Sequence, residues 1–206
     1  MSIIHASRLK SLLTAGLAIV VVGVAAGCES AGGASNQSAP APAAATATSA
    51  KTQPSDYSHL LLQAKDVSIP PDSFTVRSTK ADPEGQTGMS ALFVNADDTR
   101  AIVDTILIYP DAATASATLR QGAAAVSAIV VGGTPQPTPV GSDGTVLSGT
   151  APDGSKAVTL LMFTQGRAVV QLQFDSNVDD PPTPQMVTSV GRMQEIALRI
   201  GLRERE

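Results

Sequence analysis

The sequence predicts an α+β domain, an antiparallel sheet of about six strands covered by helices, preceded by a leader and a polar linker. Three observations predict it. Short runs alternate apolar and polar residues between Pro, Gly and Asp turns. Two longer segments repeat apolar residues at helical spacing. The first 55 residues show neither pattern. The chain has 206 residues, of which 43% are hydrophobic, 16% charged and 3% aromatic. Such a length suits one domain of about 100–200 residues with appendages.

Residues 1–10, MSIIHASRLK, carry Arg8 and Lys10 and no acid, and residues 11–26 carry no charge at all. A positive start, an apolar run and small residues at a cleavage point form an export signal. The apolar run is shorter than the roughly 20 residues a membrane-crossing helix needs. It ends in Ala25-Ala26-Gly27-Cys28. These residues resemble the lipobox of bacterial lipoprotein signals. The resemblance implies that the Cys28 sulfur receives a diacylglyceryl group, that a peptidase cuts before Cys28, and that the new amine is open to acylation. Residues 1–27 are then the signal peptide. Their removal takes Arg8 and Lys10 and leaves 12 basic against 18 acidic residues, a formal charge of −6. Attachment to the bilayer would rest on acyl chains, at about 0.8 kcal/mol per buried CH₂, and not on surface charge.

Residues 28–55 follow as the lipidated Cys28 and a linker. The segment 29–55 has nine Ala and no Val, Ile, Leu, Met or aromatic residue. It has nothing to bury against the entropy cost of ordering, which predicts a disordered spacer of roughly 30 Å root-mean-square length. The stretch 39–49 resembles glycosylated linkers of actinobacterial lipoproteins. That makes Thr46 and Thr48 candidate O-glycosylation (O-mannosylation) sites, with an unmodified spacer as the alternative.

The folded part spans residues 56–206. Ser55 or Asp56 caps a short helix carrying Leu60, Leu61 and Leu62, and Pro70-Pro71 ends it. Strands are predicted at Phe74–Ser78, Met89–Val94 and Ala101–Tyr109. Tyr109-Pro110-Asp111 stops the third and starts a helix with Asp111 as N-cap. On that helix Leu119, Ala123, Val126 and Val130 fall at helical spacing and face the sheet. The segment 132–144, GGTPQPTPVGSDG, is predicted irregular. Three strands follow at Thr145–Thr150, Lys156–Thr164 and Arg167–Asp175, with turns at Pro152-Asp153-Gly154 and Gln165-Gly166. In the last, Ala168, Val170, Leu172 and Phe174 point one way and Arg167, Gln171 and Gln173 the other, marking a wet face. A final helix carries Met186, Val190, Met193, Ala197 and Ile200 on one stripe. The order α-β-β-β-α-β-β-β-α with meander connections defines α+β.

This layout is similar to that of small mycobacterial envelope lipoproteins of the LpqN-like group with a PsbP-like α/β/α fold. The likeness is nearest at YPDAATASATL, GSDGTVLSGTAPDGSKAV and FTQGRAVVQLQFDS. These are turn and strand patterns, so no catalytic or ligand residue comes with them. The resemblance implies a non-enzymatic envelope role, binding another envelope protein or a lipid.

Composition narrows the chemistry. Fourteen basic against eighteen acidic residues, a net charge of −4, give no basic footprint for nucleic acid. One Cys excludes an internal disulfide framework and every multi-Cys zinc pattern. After signal removal His59 is the sole histidine, beside Leu60, where an exposed or packing role is expected over a catalytic base. No nucleophile elbow, P-loop or dinucleotide fingerprint occurs. The pairs Asp97-Asp98 and Asp179-Asp180 offer a cation only partial shells, so solvated turns are expected and no metal or other cofactor. The expected function is a membrane-anchored, non-catalytic binding module. The rival readings are a hydrolase with a site assembled by the fold, and a surface spacer or antigen without a ligand. Any ligand is expected between the sheet and the 112–130 helix, and to be apolar.

Overall fold

The computed structural model describes residues 56–203; the expectations for the signal, Cys28, Thr46 and Thr48 lie outside them. Seven strands form one antiparallel sheet: β1 (Phe74–Ala81), β2 (Gly88–Asn95), β3 (Ala101–Ile108), β4 (Gln136–Pro137), β5 (Ser142–Thr150), β6 (Ala157–Gln165) and β7 (Ala168–Ser176). Their spatial order is β1-β2-β3-β7-β6-β5-β4. The sheet is thus two meanders, closed against each other where β3 pairs with β7. The hairpin turns lie where Gly and Asp place them. Gly166 takes the left-handed φ of 56° that the tight β6–β7 connection requires.

Three helices complete the domain: α1 (Ala64–Val67), α2 (Ala112–Gly122) and α3 (Pro184–Gly201). Asp111 caps α2 by accepting from the Thr114 amide at 2.7 Å, as the sequence indicates. Thr183 caps α3 through the Met186 amide at 3.2 Å, with Pro184 opening the helix. Helices lie on both faces of the sheet. On one, α3 and the N-terminal segment close a core with Phe93, Phe163 and Phe174 fully buried. On the other, α2 packs through Ala115 and Leu119 onto Leu160, Met162 and Val169. The predicted α+β class and helix-covered antiparallel sheet are what the chain forms.

Four expectations are corrected. A seventh strand, β4, arises inside the Pro-rich loop, pairing Gln136 and Pro137 with Val146 and Thr145. Pro137 is tolerated there because an edge strand leaves its missing N–H facing away from the ladder. The first helix breaks into a 3-10 turn, Ser58–Leu60, and the short α1, because Gln63 and Asp66 form a capping box that starts a new helix.

The helix expected over 112–130 ends as α-helix at Gly122 and continues as a 3-10 helix, Ala123–Ala128. Ala123 is therefore exposed, while Leu119, Val126 and Val130 are buried. On α3 the buried stripe runs Met186, Val190, Gly191, Gln194, Leu198 and Gly201, and Ile200 is 57% exposed. The helix settles onto its glycines: a Cβ at Gly191 would stand 2.4 Å from Leu161 Cδ2, and one at Gly201 2.5 Å from Leu60 Cδ2. Hydrophobicity alone gives glycine no weight, which rotates the expected stripe.

Candidate functional site

The register builds one cleft on the α2 face of the sheet. Thr105 of β3, Gln171 of β7 and Met162 of β6 are neighbours across three strands. Leu107 and Val169 form the adjacent row. These side chains make the floor. The roof is Thr118, Leu119 and Gly122 of α2, then Ala125, Val126, Ala128 and Ile129 of the 3-10 segment. The cleft they enclose has a volume of about 130 Å³ and opens to solvent.

Small residues of the helical segment border it. A 3-10 helix turns every three residues, so residues three apart lie in line. Gly122, Ala125 and Ala128 have that spacing, and all are small. A Cβ added at Gly122 would meet nothing within 4 Å. Interiors pack to about 0.75 density, so a space of this size under a covering helix departs from the usual closure. The location is the one the sequence indicates for any ligand, between the sheet and the 112–130 helix, although the small side chains of that helix predict close packing there and not a space. Of the residues expected on the inward face, Leu119 and Val126 line the cleft and Ala123 and Val130 do not.

Polar groups stand at the edges. The Tyr109 hydroxyl donates to Gln86 Oε1 at 3.2 Å. Burial raises the Tyr109 phenol above its ordinary value, and the Thr118 hydroxyl opposes that shift. On the other side the Ser90 and Thr105 hydroxyls share a hydrogen bond of 3.2 Å. Gln171 is half-buried in the lining. The wet face predicted for β7 is thus half roofed: Gln171 enters the cleft, while Gln173 donates to Asp175 Oδ1 at 2.9 Å.

The remaining candidates lie elsewhere. His59 is exposed and its ring lies over Gly201 at the end of α3, on the opposite face of the sheet from the cleft. Asp98 pairs with Arg77, and Asp180 with Arg100, whose guanidinium also reaches Asp72 at 3.4 Å. Among the described residues no group of His, Cys, Asp or Glu is arranged to hold a metal ion, and no helix is long and apolar enough to cross a membrane.

Sequence reasoning missed Asp104. It sits on the α3 face of β3, opposite Ala91 and Leu172, with no exposed surface. Neither carboxyl oxygen has a hydrogen-bond partner among the described residues. Desolvation raises its pKa from 3.8 to about 7, opposed by the nearby Leu62 backbone amide. Gln194 of α3 is equally buried. Its amide donates to the Leu60 carbonyl at 2.8 Å, and its Oε1 is unpartnered. The signal was present in the strand: Asp104 stands in the phase of Ile102, Ile106 and Ile108, the buried one.

No family model matches the chain, and no curated protein matches it. Among solved structures it is similar to the extracellular domain of PknH from Mycobacterium tuberculosis. The identity is 13% and the TM-score 0.48, over 68% of this chain and 93% of that one. No residue role or activity passes to this chain through a likeness of that level. The LpqN-like resemblance read from the sequence has no matching family model behind it.

Proposed function

We propose that the protein is a lipoprotein of the extracytoplasmic face of the cell membrane, anchored through Cys28, whose folded domain is a non-catalytic binding module for an envelope component. The observation that carries the binding reading is the open apolar cleft between β3, β7, β6 and the α2 segment. Ligand sites are commonly concave and mostly apolar, with a few polar groups at their edges, and this cleft has that make-up. Its lining consists of apolar side chains, hydroxyls and one amide. Such groups hold and orient a ligand. The ordered signal ending at Cys28 and the polar linker support the anchored placement, and the resemblance to envelope lipoproteins implies the same role.

The test is recovery of bound material. Protein purified from its own cells is denatured and extracted, and released apolar molecules are identified by mass spectrometry. Wild-type protein should release one apolar species in near-equal molar amount, and Ala125→Leu, which extends a side chain over the cleft, should release at least tenfold less. Equal recovery from both forms, or none from the wild type together with no protein crosslinked through cleft residues in intact cells, refutes the binding reading.

A further inference from the structure

We infer that the cleft takes the end of an uncharged amphiphile: a hydrocarbon tip of about six carbons in the apolar space, and a neutral hydroxylated head on the row formed by Ser90, Thr105 and Gln171. This inference rests on the binding reading above and specifies its ligand class.

Size sets the tip. The space is about 130 Å³, slightly less than an engineered cavity of about 150 Å³ that accepts the six carbons of benzene. Longer chains must leave by the open side.

The register sets the head. Lys80, Ser90, Thr105, Gln171 and Met162 occupy one continuous row across β1, β2, β3, β7 and β6. The row changes from polar to apolar between Gln171 and Met162, at the cleft itself. A molecule lying along it with its chain inward places its polar part over Gln171, Thr105 and Ser90. Hydroxyls and a carboxamide both donate and accept, which suits hydroxyl groups on the ligand. Gln171 forms no side-chain hydrogen bond among the described residues, whereas its neighbour Gln173 is bound to Asp175. The free amide is the one at the mouth.

Charge excludes ionic heads. None of the described residues lining the cleft is charged. Lys80, at the outer end of the row, stands three strands from Gln171, about 14 Å at ordinary strand spacing. Asp175 is four residues further along β7, about 13 Å. Arg120 of α2 is turned to Asp143 at 3.8 Å. Arg167 shares this face at the start of β7 but lies four residues from Gln171, about 13 Å. An ionic head over Gln171 would therefore lose hydration with no opposite charge beside it, a cost that a neutral head avoids.

The experiment uses the full chain carrying Cys28→Ser, so that no acyl group of its own competes. Binding of n-alkyl glucosides, alkyl sulfates and alkyl trimethylammonium ions, each from four to ten carbons and below micelle-forming concentration, is followed by calorimetry. Glucoside affinity should rise about four-fold per methylene up to roughly six carbons and then level. The matched sulfate and ammonium compounds should bind at least tenfold more weakly. Gln171→Ala should reduce the preference for glucoside over the charged heads while keeping the chain-length dependence. Charged compounds binding as tightly as glucosides, or Gln171→Ala leaving the preference intact, overturns the inference about the head. A rise that continues unbroken to ten carbons overturns the inference about the tip. No binding by any series, in a chain that unfolds cooperatively, overturns the binding reading itself.

Discussion

Asp104 should make the protein lose stability as pH rises toward neutrality. Its carboxyl ionises near 3.8 in an unfolded chain and near 7 in the folded one, because the folded site withholds water from the charge. Below about pH 4 both states hold the proton and Asp104 adds no pH-dependent penalty. Between about 4 and 7 the unfolded chain releases the proton and the folded chain keeps it, so each pH unit costs the native state about 1.4 kcal/mol. From 3.8 to about 7 the penalty grows to about 4 kcal/mol, and above that it is constant. The perturbation is Asp104→Asn, which keeps the shape and removes the titration. A buried amide has its own desolvation cost, about 1–3 kcal/mol, so the variant should be more stable than wild type at pH 8 by roughly 1–3 kcal/mol. At pH 4 it should be no more stable than wild type. Urea unfolding of both proteins at pH 4, 5, 6, 7 and 8 gives two curves. Groups common to both proteins cancel in their difference. A difference that does not change between pH 4 and 7 refutes the reasoning.

Three further outcomes follow from single positions. Cys28→Ala should accumulate as uncut precursor and take up no labelled palmitate; cleavage at the same bond with label retained would sink the anchor. Gly122→Ala should stabilise by about 0.5–1 kcal/mol, since φ is −63° and the new Cβ meets nothing within 4 Å; an unchanged or lower melting temperature contradicts it. Gly191→Ala should destabilise by about 1–2 kcal/mol in urea unfolding, because a Cβ placed 2.4 Å from Leu161 Cδ2 forces α3 off the sheet despite better helix propensity; a stabilised variant would show that the helix shifts freely.

Much of this fold is legible in the chain because local signals and global packing agree. The alternation of β7, the turn at Gln165-Gly166 and the Asp111 and Pro110 start of α2 each decide one element alone. What the chain does not display is long-range order. Joining β3 to β7 requires knowing that α2 carries the chain across one face, and no residue between Tyr109 and Gly141 states which edge it reaches. Asp104 is an intermediate case. Its phase on β3 marks it as buried, yet a polar residue in that phase also suits an exposed bulge, and the closing of α3 over it decides between them.

The cleft shows why a candidate site can escape a reading that gets the element right. At 3.6 residues per turn, Leu119, Ala123, Val126 and Val130 form the inward face, and the helix closes on the sheet. The buried residues of the segment are Leu119, Val126 and Val130, while Gly122, Ala125 and Ala128 border the open side of the cleft, where small side chains leave the space unfilled. The run GAAAVSA satisfies either period, since small residues set no strong phase. The deciding contacts come from outside the run: Val126 and Val130 are held in the core with Leu147, Val158 and Leu160, and Val131 bridges to Thr150. Fixing Val131 against the β5 end of the sheet, with Asp111 fixed at the other end by its cap, sets the distance the segment must span. A 3-10 helix rises about 2.0 Å per residue against 1.5 Å for an α-helix, so switching over Ala123–Ala128 lengthens the segment by about 3 Å without adding a residue. Beneath the segment, Thr105 and Gln171 of the sheet leave the mouth of the cleft polar.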